Sequence, residues 1–493
     1  MVEKVKHKGL ALAVLAAAQF MVVLDATIVN VALPAIQHAL GFTSDSQLQW
    51  VVTAYALVFG GFLLLGGRLA DLFGRRGIFL AGVIIFAAAS LLAGVAQNPG
   101  MLIVFRALQG LGGALLSPAA LSLLLTIFKE GPERNRALGI WSMVAGGGGA
   151  VGLLLGGVLT QYIDWRWIFF INIPVAAVIV GAALKYVPKS LPAEKRPKVD
   201  MAGAVTVTAG LMSLVYALAK APDNGWTDAT TLGFFAAAAV LLVAFIINEL
   251  RVKEPLINLN IFRRRNVSGT AVIQTLMPAA MFGMFFYMSI YLQQILGYSP
   301  THTGVANLPF TIVMIITAGI LSKKIANINP KIILVIAPLF VAAGLLYFSR
   351  LPVDSNYWID ILPGTIIMSA GMAGVFVTAT LVATSGVSHK ESGLVSGILN
   401  TSQQVGGAIG LAVLTVISTS VTKTDMANAG GDPSALTTSL VHGFQHAFVA
   451  SAIIAVAASI VALVVIKSKK PTKSDLAHEA EVEAEALPAI PGV

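Results

Sequence analysis

Long apolar stretches of about 20 residues alternate with short polar segments along nearly the whole chain. A helix of about 20 apolar residues crosses the roughly 30 Å hydrocarbon core of a bilayer. The pattern therefore predicts an all-α polytopic membrane protein with fourteen transmembrane helices. We place the spans at residues 10–33, 48–66, 78–96, 101–127, 137–160, 167–187, 201–219, 230–248, 267–296, 303–322, 332–349, 359–385, 394–419 and 444–466.

The composition narrows the class of protein. Of the 493 residues, 57% are hydrophobic and 11% are charged, whereas soluble domains contain about 25% charged residues. The absence of cysteine excludes disulfides, thiolate chemistry and cysteine metal sites. A phosphate-binding Gly-x-x-x-x-Gly-Lys-Ser/Thr loop is also missing, which argues against ATP-driven transport. We expect no enzymatic activity, no cofactor and no metal.

Lysine and arginine are distributed unequally between the two sides. If the N-terminus faces the cytoplasm, the segments on that side hold 27 of the 32 basic residues and the opposite segments hold four. Cytoplasmic loops carry an excess of Lys and Arg, so we expect both termini to be cytoplasmic in a plasma or inner membrane. Because the net charge of +9 lies in short loops, it does not indicate a nucleic-acid partner.

Asp25 is the one carboxylate in the apolar first span. A charged residue at the bilayer centre costs about 2.5–3.5 kcal/mol or more, and such residues mark ion and substrate pathways. A group that binds a proton or a cation would explain this cost. The alternative is a tolerated polar residue that is paired inside the helix bundle.

Arg106 is a second charge within a span. It lies seven residues from Pro99, at the outer end of span four, and Asp25 lies eight residues from Leu33, at the outer end of span one. At 1.5 Å per residue these depths are about 10 and 12 Å, so both side chains could face one cavity. The sequence leaves open whether they point towards each other. Arg106 could instead hydrogen-bond the backbone carbonyls of a neighbouring helix.

Four motifs together resemble one family. The loop between spans two and three reads Gly67-Arg68-Leu69-Ala70-Asp71-Leu72-Phe73-Gly74-Arg75-Arg76. Span four contains Leu102-x-x-x-Arg106-x-x-Gln109-Gly110-x-Gly112, and span five contains Gly148-x-x-x-Gly152-x-x-x-Gly156-Gly157. Span one contains Leu24-Asp25-x-Thr27-Ile28-Val29-Asn30-Val31-Ala32-Leu33-Pro34. The set is similar to the signatures of the major facilitator superfamily, in its fourteen-helix drug:proton antiporter branch.

This resemblance implies a major facilitator fold, with two six-helix bundles, two inserted central helices and export coupled to proton entry. It implies that Asp25 and Arg106 serve proton coupling. It also implies that Gly67, Asp71, Gly74, Arg75 and Arg76 form a conformational latch. The implied domains are residues 1–187, a linker with the inserted helices at 188–255, residues 256–470, and a disordered acidic cytoplasmic tail at 471–493.

The glycine row on span five can also be read from spacing alone. Gly148, Gly152 and Gly156 are four residues apart and share one helix face, which lets another helix approach closely. Simple tight packing is the alternative and is compatible with function. Two positions depart from the family pattern: Leu153 stands where Pro is usual, and Gln403 stands where Arg is frequent. The second departure removes one cationic site.

Ten polar or aromatic side chains within the spans are candidates for a substrate cavity, and each could equally hydrogen-bond between helices. They are Gln19, Asn30, Tyr55, Gln274, Tyr287, Tyr291, Asn307, Asn400, Gln403 and Gln404. His442 and His446 have a metal-binding spacing, but the sequence offers no third ligand and favours interface residues.

The sequence therefore predicts a monomeric secondary transporter, a proton-coupled exporter of multiple drugs or an antibiotic. Its expected partners are protons, a small lipophilic substrate that could be cationic, and membrane lipids. Two alternatives stay open: a proton symporter that imports a small metabolite, and a non-transporting membrane sensor or scaffold.

Overall fold

The computed structural model describes residues 7–128, 132–189, 200–252, 255–257, 259–324, 328–384 and 389–467. These residues form helices joined by short connections. The fourteen long helices are α1 Lys8–Leu40, α2 Trp50–Phe73, α3 Arg75–Gly94, α4 Pro99–Ile127, α5 Pro132–Tyr162, α6 Asn172–Tyr186, α7 Met201–Asn224, α8 Ala229–Arg251, α9 Arg265–Ile290, α10 Leu308–Lys324, α11 Pro330–Phe348, α12 Leu362–Thr384, α13 His389–Asn428 and α14 Leu436–Val465.

Shorter helical pieces extend or precede several of these helices. They are Asp45–Leu48, Trp167–Phe170, Leu259–Arg263, Tyr291–Ile295, Pro300–Ala306, Tyr357–Ile361 and Pro433–Ala435. Thirteen helices in the described part of the chain are long and apolar enough to cross a membrane. The remaining predicted span, 137–160, corresponds to the 31-residue helix α5. The predicted all-helical, polytopic architecture is confirmed.

Local sequence signals set where several helices begin. Asn98 accepts a hydrogen bond from the backbone of Met101 at 2.9 Å, and Pro99 occupies the first helical position of α4. Asn side chains satisfy free N–H groups at helix starts, and proline fits the first turn because its missing N–H is not needed there. The same arrangement of Asn329 before Pro330 starts α11.

Helices often run beyond the predicted spans because no residue stops them at the membrane edge. α1 continues to Leu40 and ends where Gly41 adopts a φ of +72°, a conformation that glycine reaches without strain. α13 covers 40 residues, whereas the predicted span was 394–419.

Glycines let neighbouring helices pack backbone against backbone. A Cβ on Gly66 of α2 would lie 2.1 Å from the carbonyl oxygen of Ala114 on α4. A Cβ on Gly110 of α4 would lie 2.5 Å from the carbonyl oxygen of Tyr55 on α2. Small residues permit this close approach inside membranes, and the α2–α4 contact helps to fix the position of the Arg106 side chain.

The inserted helices α7 and α8 pack on each other, and α7 also contacts α2 and α13. Its Val215 joins a buried apolar cluster with Leu57 on α2 and Ala408 on α13. The inserted pair therefore lies beside the contact between α2 and α13. The predicted domain boundaries stay predictions, and the predicted tail at 471–493 lies outside the described residues.

Candidate functional site

Asp25 and Arg106 form a buried ion pair. Arg106 Nη1 donates to Asp25 Oδ2 at 2.6 Å, and the two residues are 1% and 0% exposed. The depth argument from sequence placed both residues at one level, and the structure adds that their side chains meet. Breaking a buried pair by removing one partner costs about 3–5 kcal/mol, because an uncompensated charge is left behind.

Three further side chains complete a closed network around Asp25. Gln109 Nε2 donates to Asp25 Oδ1 at 2.6 Å, and Asn172 Nδ2 donates to the same oxygen at 3.0 Å. Both amides also reach Ser90 Oγ, at 3.2 and 3.0 Å, and Ser90 donates to the carbonyl oxygen of Phe169 at 2.8 Å. The network therefore ties α1, α3, α4 and α6 together at Asp25.

The guanidinium of Arg106 is held on several sides. Its Nε donates to the carbonyl oxygen of Val51 at 3.0 Å, and its Nη1 also donates to Gln109 Oε1 at 2.7 Å. The ring of Tyr55 lies 4.4 Å from Arg106 Cζ, close enough for a cation–π attraction. Both interpretations from sequence apply here, since Arg106 contacts the carboxylate and also a backbone carbonyl.

The hydrogen bonds that Asp25 accepts determine which contacts would break when it is protonated. Two amide donors meet Oδ1 and the guanidinium meets Oδ2. A proton on Oδ2 would point at the N–H of Arg106, and a proton on Oδ1 would point at an amide donor. Proton binding therefore requires at least one of these contacts to break, which links the charge of Asp25 to the packing of α1 on α4 and α6.

Sequence reasoning missed three members of this network. Gln109 lies three residues after Arg106, on the same helix face, and that spacing was a usable signal. Asn172 was not assigned to the site, because its contact with Asp25 joins residues far apart in the chain. Ser90 gave no signal, because a serine in an apolar span often bonds to its own helix.

The cavity candidates on α1 and α2 have local partners. Gln19 Oε1 accepts from Ser117 Oγ on α4 at 2.9 Å. Asn30 Nδ2 donates to Ala26 and Thr27 carbonyls of its own helix at 3.3 and 3.4 Å. Tyr55 is buried and its hydroxyl has no hydrogen-bond partner among the described residues.

The candidates on α9 and beyond lie in different surroundings. Gln274 is fully buried, and neither atom of its amide has a hydrogen-bond partner in the described part of the chain. Tyr287 packs its ring on Phe444. The Tyr291 hydroxyl donates to the carbonyl of Pro352. Asn307 Nδ2 donates to its own helix at Thr303, 2.8 Å away.

The three candidates on α13 differ in exposure. Asn400 is exposed, whereas Gln403 and Gln404 are half-buried. Gln404 lies at the contact with α2, since a Cβ on Gly60 would be 2.7 Å from Gln404 Cβ. The candidates are therefore spread over several helices, and Tyr55 is the one that touches the Asp25–Arg106 network.

The predicted loop motif covers the end of α2, Gly74 and the start of α3. Asp71, Arg75 and Arg76 make hydrogen bonds within the first half of the chain, whereas Arg68 donates to the carbonyl oxygen of Pro255 at 3.4 Å. Asp71 Oδ1 accepts from Arg75 Nη2 at 3.1 Å, and Arg75 also donates to Thr126 Oγ1 on α4. Arg76 Nη2 donates to the carbonyl oxygen of Leu184 on α6 at 2.7 Å. Gly74 adopts a φ of +98°, which favours glycine.

Gly67, in contrast, has room for a side chain. A Cβ at this position would make an ordinary contact of 3.7 Å with Pro118. The close packing in this part of α2 depends on Gly66, which sequence reasoning did not single out.

The glycine row of α5 faces α1, one turn from Asp25. A Cβ on Gly152 would lie 2.0 Å from Thr27 Oγ1 and 2.9 Å from the carbonyl oxygen of Leu24. A Cβ on Gly156 would lie 2.6 Å from the carbonyl oxygen of Ile28. A Cβ on Gly148 would lie 3.2 Å from Val23 Cβ, which is a less severe overlap. The row therefore positions the helix that carries Asp25.

Gly157 faces the second half of the chain instead. A Cβ on it would lie 2.6 Å from the carbonyl oxygen of Pro300. Nearby, the backbone N–H of Thr301 donates to Gln161 Oε1 at 3.1 Å. These contacts join the C-terminal end of α5 to the helical piece Pro300–Ala306.

The C-terminal part of α1 is joined to the second half as well. Ser289 Oγ donates to the carbonyl of Asn30 at 2.6 Å, and Gln293 Nε2 donates to the carbonyl of Val31 at 2.8 Å. Gln294 Nε2 donates to Gln37 Oε1 at 2.9 Å. We call this set, with the Gln161–Thr301 and Gly157–Pro300 contacts, the outer seam, after the side of the membrane on which the sequence predicts these residues to lie. The structure therefore has the two halves in contact on this side.

The two histidines of α14 lie at an exposed position. His442 Nδ1 lies 3.0 Å from Asp425 Oδ2, and His446 Nδ1 contacts the carbonyl of His442 at 2.8 Å. No group of three or more potential metal ligands occurs in the part of the chain that the structure describes.

A bundle of membrane-length helices around a buried carboxylate–guanidinium network defines the class of polytopic membrane transporters. The chain belongs to the Major Facilitator Superfamily, whose model matches residues 15–411, and this prediction from the sequence is confirmed.

Similar proteins carry resistance or export names. The chain is 40% identical to the puromycin resistance protein pur8 of Streptomyces alboniger, over 93% of this chain and 91% of that protein. It is 36% identical to the cephamycin export protein CmcT of Amycolatopsis lactamdurans, over 86% and 88%. It is 39% identical to a tetracenomycin C resistance and export protein of Streptomyces glaucescens, over 81% and 74%.

Solved structures share the fold at low sequence identity. A peptide transporter POT in complex with sulfate matches with a TM-score of 0.66 at 16% identity, over 93% of this chain and 96% of that one. A bacterial homolog of the human lysosomal transporter Spinster, in an inward-facing conformation, matches with a TM-score of 0.65 at 16% identity, over 93% and 97%.

Proposed function

We propose that this transporter exports small lipophilic, antibiotic-like compounds from the cytoplasm in exchange for protons. The observation that carries the proposal is the buried Asp25–Arg106 pair with its network of amide donors. Relatives named for resistance to or export of puromycin, cephamycin and tetracenomycin C support the substrate class.

In the proposed cycle Asp25 carries the proton. Protonation removes its negative charge and breaks a contact to Arg106 or to an amide. Losing that contact changes the relative free energies of the conformations in which α1 packs differently on α4 and α6. The proton acts here as a ligand, which shifts a conformational equilibrium by its differential affinity for the two states. A cationic substrate near the deprotonated carboxylate would compete with the proton for the same charge.

Alternating access follows from the contacts between the halves. In this structure the outer seam is formed, while Asp71 and Arg75 of the α2–α3 loop pair with each other. We infer that opening to the outside breaks the outer seam and draws the α2–α3 loop into contacts with the second half. The loop would then act as the latch that the sequence suggested.

The remaining features of the proposal concern location and partners. The 27-to-4 bias of basic residues supports cytoplasmic termini in a plasma or inner membrane. We propose that the chain works as a monomer among membrane lipids. Its chemistry is transport and not catalysis, with protons and the exported compound as its partners.

The direction of substrate movement distinguishes this proposal from its closest rival. Proteoliposomes with an acidic lumen should accumulate puromycin or another compound of a small antibiotic panel as protons leave, and nigericin should abolish the accumulation. A symporter would instead carry substrate out of the acidic lumen. Absence of any pH-driven movement across the panel would favour a sensor or scaffold.

A further inference from the structure

Two acidic side chains meet where α7 begins and α8 ends, far along the chain from Asp25. Asp200 is 7% exposed and Glu249 is 5% exposed. A Cβ on Gly203 would lie 2.4 Å from Asp200 Oδ2 and 2.9 Å from Glu249 Oε1, so both oxygens border the same small space. Because both distances are measured from the same point, the two carboxylates lie close together.

The hydrogen-bond partners of the two groups differ. Asp200 Oδ1 accepts from the backbone N–H of Gly203 at 2.8 Å, and Oδ2 accepts from Asn248 Nδ2 at 2.6 Å. Glu249 Oε2 accepts from the backbone N–H of Ile257 at 2.9 Å. Glu249 Oε1 is buried and has no donor among the described residues.

Two ionised carboxylates cannot hydrogen-bond to each other, because both are acceptors. Placing two like charges in one buried site is unfavourable, and such pairs commonly share one proton. Asp200 already has a donor on each oxygen, which suits the ionised form. Glu249 Oε1 is the atom without a donor, so it is the natural position for the proton.

We propose that Asp200 and Glu249 form a second proton-binding site, in which one proton lies between Glu249 Oε1 and Asp200 Oδ2. The proton closes a chain of contacts from the start of α7 through the end of α8 to residues 255–257, the segment that leads towards α9. The site lies on the side of the membrane that the basic residues assign to the cytoplasm.

Among the described residues, the neighbours of the pair are mainly apolar, and the nearby arginines do not bond to either carboxylate. Leu65 on α2, Ala204 on α7 and Leu256 form a buried apolar cluster beside it. Arg68 on α2 donates to the carbonyl oxygen of Pro255 at 3.4 Å and not to either carboxylate, while Arg251 on α8 is exposed. Among the described residues, α13 contributes apolar side chains such as Ala408 to its contact with α7. Within the described part of the chain, a proton would balance the charge of the pair.

The segment 255–257 connects the acidic pair to Arg68 at the α2–α3 loop. Arg68 belongs to that loop motif, and its partner Pro255 lies two residues before Ile257, whose N–H meets Glu249. Loss of the shared proton would leave two negative charges in the buried site and loosen the segment 255–257. Cytoplasmic pH would then act on the loop independently of Asp25.

The test measures the thermal stability of the purified full-length protein in detergent between pH 5 and pH 9. The folded pair binds its proton more tightly than the unfolded chain does. Its stabilising contribution is therefore complete at low pH and is lost as pH rises through the titration of the folded pair. The melting temperature of the wild type should fall by several degrees over this range.

Glu249→Gln reproduces the protonated form, because its amide can donate to Asp200 Oδ2 while its oxygen accepts from Ile257. This variant should melt at least as high as the wild type at low pH, and its melting temperature should fall less as pH rises. Asp200→Asn should be less stable at every pH, since its amide would face the donors Asn248 and Gly203. Asp228→Asn, a capping acid at the opposite end of α8, should keep the wild-type slope.

The proposal would be overturned if the melting temperatures of the wild type and Glu249→Gln fell equally with rising pH. It would also be overturned if Glu249→Gln were less stable at all pH values or failed to fold. Stabilisation of the wild type by added Na⁺ at constant pH, absent in Glu249→Gln, would show a cation site in place of a shared proton. Infrared spectra of the Asp25→Asn background should contain a protonated-carboxyl band at neutral pH that Glu249→Gln removes. The experiment involves no transport, so its failure would leave the export proposal unaffected.

Discussion

At the scale of single residues, the charge of Asp25 is compensated by one cation and one amide on α4 and a second amide on α6. Each partner is itself anchored, Arg106 by the carbonyl of Val51 and Asn172 by Ser90. Fully satisfied buried polar networks specify one arrangement of their helices. The network should therefore be sensitive to changes that keep charge but alter geometry.

Replacing Arg106 with lysine is such a change. An ammonium group cannot contact Val51, Asp25 and Gln109 with the geometry of the planar guanidinium. We expect pH-driven efflux in Arg106→Lys to fall about tenfold or more, since one hydrogen bond to a charged group contributes about 1.5–3 kcal/mol. Arg166→Lys, at a half-buried arginine that pairs with Asp164 outside the Asp25 network, is the control and should transport nearly as well as the wild type. Normal efflux by Arg106→Lys would mean that positive charge alone is sufficient.

Two buried glutamines offer a matched comparison. Gln109 bridges Asp25 and Arg106, whereas the amide of Gln274 has no hydrogen-bond partner among the described residues. We expect Gln109→Met to cost about 1–3 kcal/mol of stability and Gln274→Met to be neutral or stabilising in thermal melts. If Gln274 contacts substrate, its variant should lose drug affinity without losing stability. Equal melting temperatures for both variants would contradict the network.

At the scale of secondary-structure elements, the glycine row of α5 determines how closely α1 is held. Gly149→Ala and Gly152→Ala place the same methyl group on one helix. A Cβ at 149 meets Thr27 Cγ2 at 3.9 Å, while a Cβ at 152 would lie 2.0 Å from Thr27 Oγ1. We expect Gly152→Ala to impair efflux and Gly149→Ala to remain active, in vesicles matched for expression. Passive proton leak should be recorded for both, and an active, tightly coupled Gly152→Ala protein would show that α1 can move aside without consequence.

The α2–α3 loop should affect turnover more than binding. Asp71 is half-exposed and pairs with Arg75, well separated from the Asp25 network. We expect Asp71→Asn to slow transport several-fold while drug affinity stays within about twofold, because the loop biases conformational states. Glu133→Gln, which breaks the exposed Lys8 pair, is the control. A large loss of affinity with normal turnover would place Asp71 in the binding site.

At the scale of the whole molecule, the outer seam distinguishes one access state from the other. The chain has no cysteine, so a pair can be introduced at Gln37 and Gln294, whose amides are 2.9 Å apart. A short bis-methanethiosulfonate crosslinker, which attaches to each cysteine through a disulfide, should stop transport in the double variant. Reductant cleaves these disulfides and should restore transport. The two single variants should be unaffected. Continued transport by fully crosslinked protein would show that the seam need not open.

The sequence predicted the whole-molecule features because they depend on regular patterns. The length of the apolar stretches predicted the transmembrane helices. Counting residues from the helix ends predicted that Asp25 and Arg106 lie at the same depth. The contacts between them could not be read, because the rotation of each helix depends on packing that involves distant residues such as Gly66 and Ala114. Ser90 and the Asp200–Glu249 pair escaped for the same reason, since their significance lies in neighbours far apart in the chain.

The most direct measurement records proton release when drug binds to purified protein in weakly buffered detergent solution. The central claim is that Asp25 exchanges its proton against the exported compound. Wild-type protein at a pH where Asp25 is partly protonated should release protons on addition of a transported antibiotic, and Asp25→Asn should bind the compound without release. Undiminished release by the Asp25→Asn protein would contradict the account, because another group would then carry the proton.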